Sequence, residues 1–227
     1  MVLASGSGTR VGSAVNKVYL PLHGRPVVCW SLKALSVVAT TLVLVIRPED
    51  RRLAGEAMAD NTLTGLNIEV VHGGATRQDS ELMALRQLAG RISTGQIETV
   101  LIHDAARPLV TSVLAKAVVQ AAREFGGAIP GLPRDDLVPV TSDTVTGAPL
   151  ERVVTVQTPQ GFSARPLLRA YEQAASDGFS GTDTAACMAR YSDVPTRCIE
   201  GDERNIKITY PYDIAIAERL LTDATEW

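Results

Sequence analysis

The period of apolar and polar positions changes repeatedly along the chain, and the changes mark out its elements. Residues 41–46 (Thr-Leu-Val-Leu-Val-Ile) form an unbroken β-branched and apolar run, the composition of a strand buried on both faces. Residues 68–71 and 100–102 are shorter runs of the same kind. The first ends at Gly73-Gly74 and the second runs into His103-Asp104-Ala105-Ala106-Arg107-Pro108. Between them the spacing is helical. Residues 26–35 suit a helix with proline in its first turn, and residues 48–58 a polar surface helix. Residues 79–88 place Leu82, Leu85 and Leu88 on one side of a helix. Residues 111–125 follow as a helix capped by Thr111 or Ser112 and stopped at Gly126-Gly127.

Strands alternating with helices predict βαβ crossovers, hence an α/β fold with a mainly parallel sheet and helices on both faces. Ligands of such sheets bind beyond the C-terminal ends of the strands. Three such ends, the opening glycine turn, Gly73-Gly74 and Asp104, are therefore expected to converge. The rhythm breaks over residues 128–158, where Pro130, Pro133, Pro139 and Pro149 punctuate short β-branched pieces. This segment reads as a protruding β-arm outside the main sheet of a single domain spanning 1–227. Arms of that kind pack across a two-fold axis, which points to a homodimer. Helical texture returns at 165–175 and 182–190, with a last strand at 196–200 and an amphipathic helix at 211–221.

The opening stretch, Leu3-Ala4-Ser5-Gly6-Ser7-Gly8-Thr9-Arg10, changes the picture from fold to chemistry. Its glycines let backbone N–H groups approach a ligand and form an anion-binding concavity. Arg10 and Lys17 bring fixed positive charge to it, so a polyphosphate is the expected guest. The segment has no G-x-x-x-x-G-K-[ST] spacing, and Gly12 falls one place too late for G-x-G-x-x-G. An ordinary glycine-rich turn remains the alternative for the glycines taken alone. Only Met1-Val2-Leu3 precede the turn, implying a clipped first strand or a start placed late.

Composition narrows the partners. The 227 residues carry a formal net charge of −3, with no electrostatic footprint of a nucleic-acid binder. Cys29, Cys187 and Cys198 are widely spaced and odd in number, which suggests buried thiols in a reducing compartment. The longest apolar run, 37–46, is too short to span a bilayer, and the start lacks a signal-peptide pattern. A cytoplasmic protein without membrane partners is expected.

Asp104, directly after a buried strand, suits Mg²⁺ held jointly by a carboxylate and phosphate oxygens, or else it caps a turn. His103 reads as structural, since no second His or Cys lies near it. Gly73-Gly74-Ala75-Thr76-Arg77-Gln78-Asp79-Ser80 offers close backbone approach and polar groups for a base edge, and also a helix start. Lys207, between Ile206 and Ile208, is either a site residue or an outward-facing strand position.

Together these residues resemble the 2-C-methyl-D-erythritol 4-phosphate cytidylyltransferase family. The likeness runs through the opening turn with Lys17-Val18-Tyr19-Leu20, the Gly73–Ser80 and His103–Pro108 segments, Gln157-Thr158-Pro159-Gln160-Gly161-Phe162, Thr182-Asp183, and Asn205-Ile206-Lys207-Ile208-Thr209. It implies a Rossmann-like nucleotidyltransferase with a dimerising β-arm. It also implies transfer of CMP from CTP to methylerythritol phosphate with release of pyrophosphate.

By resemblance Arg10, Lys17 and Lys207 are catalytic and Asp104 holds Mg²⁺. Ala4, Ser5, Gly6, Ser7, Gly8, Gly74, Ser80 and Ala105 meet the nucleotide, while Arg107, Arg152, Thr182 and Lys207 meet the acceptor. The chain departs from the family pattern at Asn16, where proline is usual, and in the arm, where Asp136 or Thr144 fills an Asp-Thr role and the Arg152–Thr158 spacing is two residues shorter. Those departures keep open a ribitol-5-phosphate or other polyol-phosphate acceptor, and a non-catalytic nucleotide-binding homologue.

Overall fold

The computed structural model describes residues 1–6, 15–146 and 152–223. Ser7, Gly8 and Arg10 lie outside the described residues. The chain opens with β1 (Val2–Leu3), a small hairpin of β2 (Pro21–Leu22) and β3 (Arg25–Pro26), α1 (Val27–Ser36), β4 (Leu42–Ile46), α2 (Arg51–Met58), β5 (Ile68–His72) and α3 (Arg77–Ser93). It continues with β6 (Thr99–Asp104), α4 (Ser112–Phe125), β7 (Gly127–Arg134), β8 (Val140–Thr141), β9 (Thr144–Val145), β10 (Val153–Val156) and β11 (Gln160–Ser163). Last come α5 (Ala164–Ser176), α6 (Thr184–Tyr191), β12 (Thr196–Glu200) and α7 (Tyr212–Thr222).

β6, β1, β4 and β5 lie side by side and parallel. β1 has two residues, yet it sits between neighbours: Val2 lies opposite Leu44 and His103, and Leu3 opposite Val45 and Asp104. Strand alternation then sorts the side chains between faces. Leu3, Val43, Val45 and Ile102 pack with Leu82, Leu85 and Leu88 of α3, Leu167 and Tyr171 of α5, and Met188 of α6. Val2, Leu42, Leu44 and Ile46 pack oppositely, with Val28, Leu32 and Leu35 of α1, Ala54 and Ala57 of α2, and Ala115 of α4. Each fully buried leucine contributes about 1.5–3 kcal/mol relative to exposure.

The elements read from periodicity are present, with α3 starting two residues earlier than expected and running to Ser93. Gly126 ends α4 with φ 93°, and a Cβ there would meet Val194 Cγ1 at 2.5 Å, so glycine is required. The segment 128–158 differs from expectation. Its two flanks, β7 and β10, belong to the eight-stranded sheet, and only β8 and β9 form a separate two-stranded ribbon. Gly127 pairs with Phe162 and Thr196, whereas Gly131 pairs with Val156 and Glu200. β11 and β10 thus take turns on one side of β7 while β12 occupies the other. Pro130 lies at the handover, where its carbonyl accepts from Gln157 N at 2.8 Å and no donor is needed from it.

Cys29 and Cys187 are buried as expected, but Cys198 is exposed on β12, and all three are free thiols. Among the described residues no helix is long and apolar enough to cross a membrane.

Candidate active site

The chain leaves β1 for β4 on one side and returns to β6 on the other, so the order reverses at β1, where ligands of such sheets bind. A cavity of about 560 Å³ opens there. Ser5 and Gly6 line it from the end of β1, Arg47 from β4, Gly73 and Gly74 from β5, and Asp104 from β6, with Lys17, Arg77 and Lys207 around them. The three expected strand ends do converge, and Lys17 and Asp104 share one cavity.

The glycines are there for proximity. A Cβ on Gly73 would stand 2.6 Å from Ser80 Oγ, and one on Gly74 would stand 2.4 Å from Asp79 Cβ. Ser80 Oγ accepts from Gly74 N at 3.1 Å and from Ser5 Oγ at 2.9 Å, and donates to Thr76 O at 2.8 Å. One buried hydroxyl therefore joins two glycine-bearing segments. α3 begins there with a capping box: Asp79 N donates to Thr76 Oγ1 and Thr76 N to Asp79 Oδ2. The segment is a helix start, as one reading of the sequence expects, and residues 73–77 line the cavity.

Lys17 sits on a 3₁₀ turn, Lys17–Tyr19, capped by the Asn16 side chain. The Asn16 amide donates to Ala4 O at 2.9 Å and to Asp50 Oδ2 at 2.8 Å. Asp50 in turn receives Arg47 on both oxygens at 2.7 Å. Sequence reasoning placed residues 48–58 on the surface, yet Asp50 is buried. An arginine directly after a buried strand at the ligand-facing edge was the available signal.

Asp104 is the electrostatic centre. Lys207 Nζ lies 2.6 Å from its Oδ2, and Arg77 Nη2 lies 3.2 Å from its Oδ1. Burial alone would raise its pKa, but Lys207 and then Arg77 outweigh that and hold the carboxyl well below the usual range. Lys207 reaches it because Ile208 is fully buried and its N–H donates to Ala106 O, fixing the neighbouring side chain toward the cavity. Arg77 also grips Glu81 at 2.6 Å, and Glu81 meets Tyr171 and Thr184. Burial pushes the Glu81 carboxyl up to about 7, against the pull of Arg77. The sequence pattern alone assigns no role to Arg77 or Glu81, because their partners Asp104, Tyr171 and Thr184 are distant in the chain.

His103 is structural, as expected. Burial lowers its pKa to about 4, so the ring is neutral between Thr158 Oγ1 at 3.1 Å and Arg107 O at 3.2 Å. Other expected site residues stand off the cavity. The Arg107 guanidinium donates to Asn205 O at 2.7 Å and Val156 O at 3.3 Å. Ala105 is buried, its N–H donated to Leu3 O, while its neighbour Ala106 lines the cavity. Arg152 and Thr182 are exposed outside it.

No group of three or more His, Cys, Asp or Glu able to hold a metal exists among the described residues. Asp104 nevertheless fits a divalent cation whose other ligands come from a bound phosphate chain, since an ionised carboxylate has lone pairs beyond those its two cations use.

Fold and site together define an α/β nucleotidyltransferase. The family described as IspD: 2-C-methyl-D-erythritol 4-phosphate cytidylyltransferase matches residues 1–223, and the chain belongs to that family. The 2-C-methyl-D-erythritol 4-phosphate cytidylyltransferase of Symbiobacterium thermophilum is 38% identical over 229 residues, covering 98% of this chain and 92% of its own length. The bifunctional enzyme IspD/IspF of Nitratidesulfovibrio vulgaris is 39% identical over 96% of this chain, which spans 56% of that relative. Among solved structures, 4-diphosphocytidyl-2C-methyl-D-erythritol synthase from Anaerococcus prevotii matches with a TM-score of 0.83 at 28% identity, over 97% of this chain and 94% of that one.

Proposed function

We propose that this chain transfers CMP from CTP to 2-C-methyl-D-erythritol 4-phosphate, releasing pyrophosphate. A phosphate oxygen of the acceptor attacks the α-phosphorus, and the bond from that phosphorus to the oxygen bridging to the β-phosphate breaks. Near pH 7 the attacking phosphate is already anionic, so the protein's task is alignment and charge stabilisation. The observation that supports this reading is the Asp104–Lys207 ion pair lying in the same cavity as Lys17 and the glycine-lined strand ends.

In this reading Lys17 and Arg10 meet the triphosphate, and Ala4, Ser5, Gly6, Ser7, Gly8, Gly74, Ser80 and Ala105 surround the nucleotide. Lys207, Arg107, Arg152 and Thr182 serve the acceptor. Asp104 would hold Mg²⁺, which when bound neutralises triphosphate charge. The exposed Val140 and Val145 of the β8–β9 ribbon, with the exposed Val138 just before it, suit burial against a second copy, making the enzyme a homodimer. Its free cysteines suit a reducing cytoplasm.

The test is pyrophosphate release with Mg²⁺, each of CTP, UTP, ATP and GTP, and either methylerythritol phosphate or ribitol 5-phosphate. The reading expects turnover with CTP and methylerythritol phosphate. Turnover confined to ribitol 5-phosphate would change the acceptor, and CTP binding without turnover on any acceptor would refute the enzyme.

A further inference from the structure

The first turns of α3 reach several separate parts of the molecule. Arg77 meets Asp104, Ser80 meets Gly74 and Ser5, and Glu81 meets Thr184. Gln78 does something different. Its Nε2 donates to Phe179 O at 2.6 Å, and its Oε1 accepts from Gly181 N at 2.7 Å. One side-chain amide thus pairs with two backbone groups two residues apart, as a neighbouring strand would.

The segment it grips leads into α6 and presents Thr182. The far end of that segment is pinned too. Asp183 Oδ1 accepts from Ala186 N at 2.9 Å and Asp183 Oδ2 from Gln160 Nε2 at 3.0 Å, while Gln160 Oε1 accepts from Ala185 N at 3.1 Å. Thr182 is left exposed between two anchored neighbours, Gly181 and Asp183.

We propose that Gln78 is a positioning residue for the acceptor: it fixes the 179–182 segment, and through it Thr182, relative to the helix turn that also orders the nucleotide side. The inference rests on the reading of Thr182 as an acceptor contact. The amide is suited to this because a single group supplies both a donor to Phe179 O and an acceptor for Gly181 N. Leucine fills similar volume and supplies neither.

The test compares Gln78→Leu and Thr182→Val with the parent protein by steady-state pyrophosphate release and by backbone amide hydrogen exchange. Gln78→Leu is expected to raise KM for methylerythritol phosphate about tenfold, the scale of roughly one hydrogen bond, with KM for CTP within about twofold. Exchange at Gly181 should accelerate while that of the β4 and β6 amides stays unchanged, which also reports that the sheet is folded. Thr182→Val should raise the acceptor KM with Gly181 protection intact. If Thr182→Val leaves the acceptor KM at the parent value, the acceptor role of Thr182 falls and the inference with it. If Thr182→Val raises it but Gln78→Leu does not, or if Gly181 exchange is unaltered in Gln78→Leu, positioning by Gln78 is refuted while the role of Thr182 stands.

Discussion

The Asn16 side-chain amide lies 2.8 Å from the Asp50 carboxylate and donates at the same time to Ala4 O. It therefore ties the end of β1, the base of the 3₁₀ turn bearing Lys17, and the turn after β4 that holds Arg47. Asn16 and Asp50 are buried, so water cannot replace the bonds cheaply. Asn16→Ala should cost about 1–3 kcal/mol in urea unfolding, the scale of leaving buried acceptors unpaired. It should also lower kcat by about 10- to 100-fold by letting Lys17 drift. A variant that loses stability but keeps the parent kcat would separate the tether from Lys17.

Glu81 gives the fold a pH dependence with a definite sign. Burial raises its folded-state pKa from 4.5 to about 7, so between those values the unfolded chain releases a proton that the folded chain keeps. Stability from this group is greatest below about 4.5 and declines as pH rises toward 7. Glu81→Gln should remove that downward slope from the curve of unfolding free energy against pH. An unchanged slope in the variant would mean that Glu81 is ionised throughout the range.

Legibility in the sequence followed how local the determinants are. β4 and α4 could be read because an apolar run, or a cap and a terminal glycine, fixes each within its own residues. β7 could not be read as a sheet strand, since Pro130 and Pro133 argue against a central strand. Their tolerance depends on β10, β11 and β12 dividing the pairing, which only the tertiary fold reveals. The site divides in the same way. Asp104 and Lys17 stood out by their place beside strand and glycine turn, whereas the burial of Asp50 and the reach of Gln78 to Gly181 depend on distant partners.

Under the proposed function Gly74 is a nucleotide contact, and its substitution tests how closely the backbone must approach the base. Its missing side chain makes room for Asp79, whose Cβ would lie 2.4 Å from an added methyl carbon. Gly74→Ala should displace the turn from Ser80 and raise KM for CTP by about tenfold, the cost of roughly one backbone hydrogen bond. KM for the acceptor should change little. Equal effects on both substrates would show that the turn does not discriminate between them.

Lys17 and Lys207 line the same cavity but stand in different surroundings, and the difference predicts separable kinetics. Lys17 is buried beside the opening turn, where triphosphate charge is expected, so Lys17→Met should lower kcat by at least about 10²-fold, the scale of losing one preorganised charge donor. Lys207 is more exposed and rests on Asp104 at 2.6 Å. Under the proposed function Lys207→Met removes a contact to the acceptor phosphate, and it leaves Asp104 with Arg77 as its remaining ion-pair partner among the described residues. It should raise the acceptor KM as well as lowering kcat, and it should lift the Asp104 pKa toward the ordinary value, because the cation that depresses it most is gone. The two variants are compared by initial rates with each substrate varied in turn. Identical losses in both, with no change in acceptor KM for Lys207→Met, would place both lysines on the triphosphate and leave the acceptor phosphate to other residues.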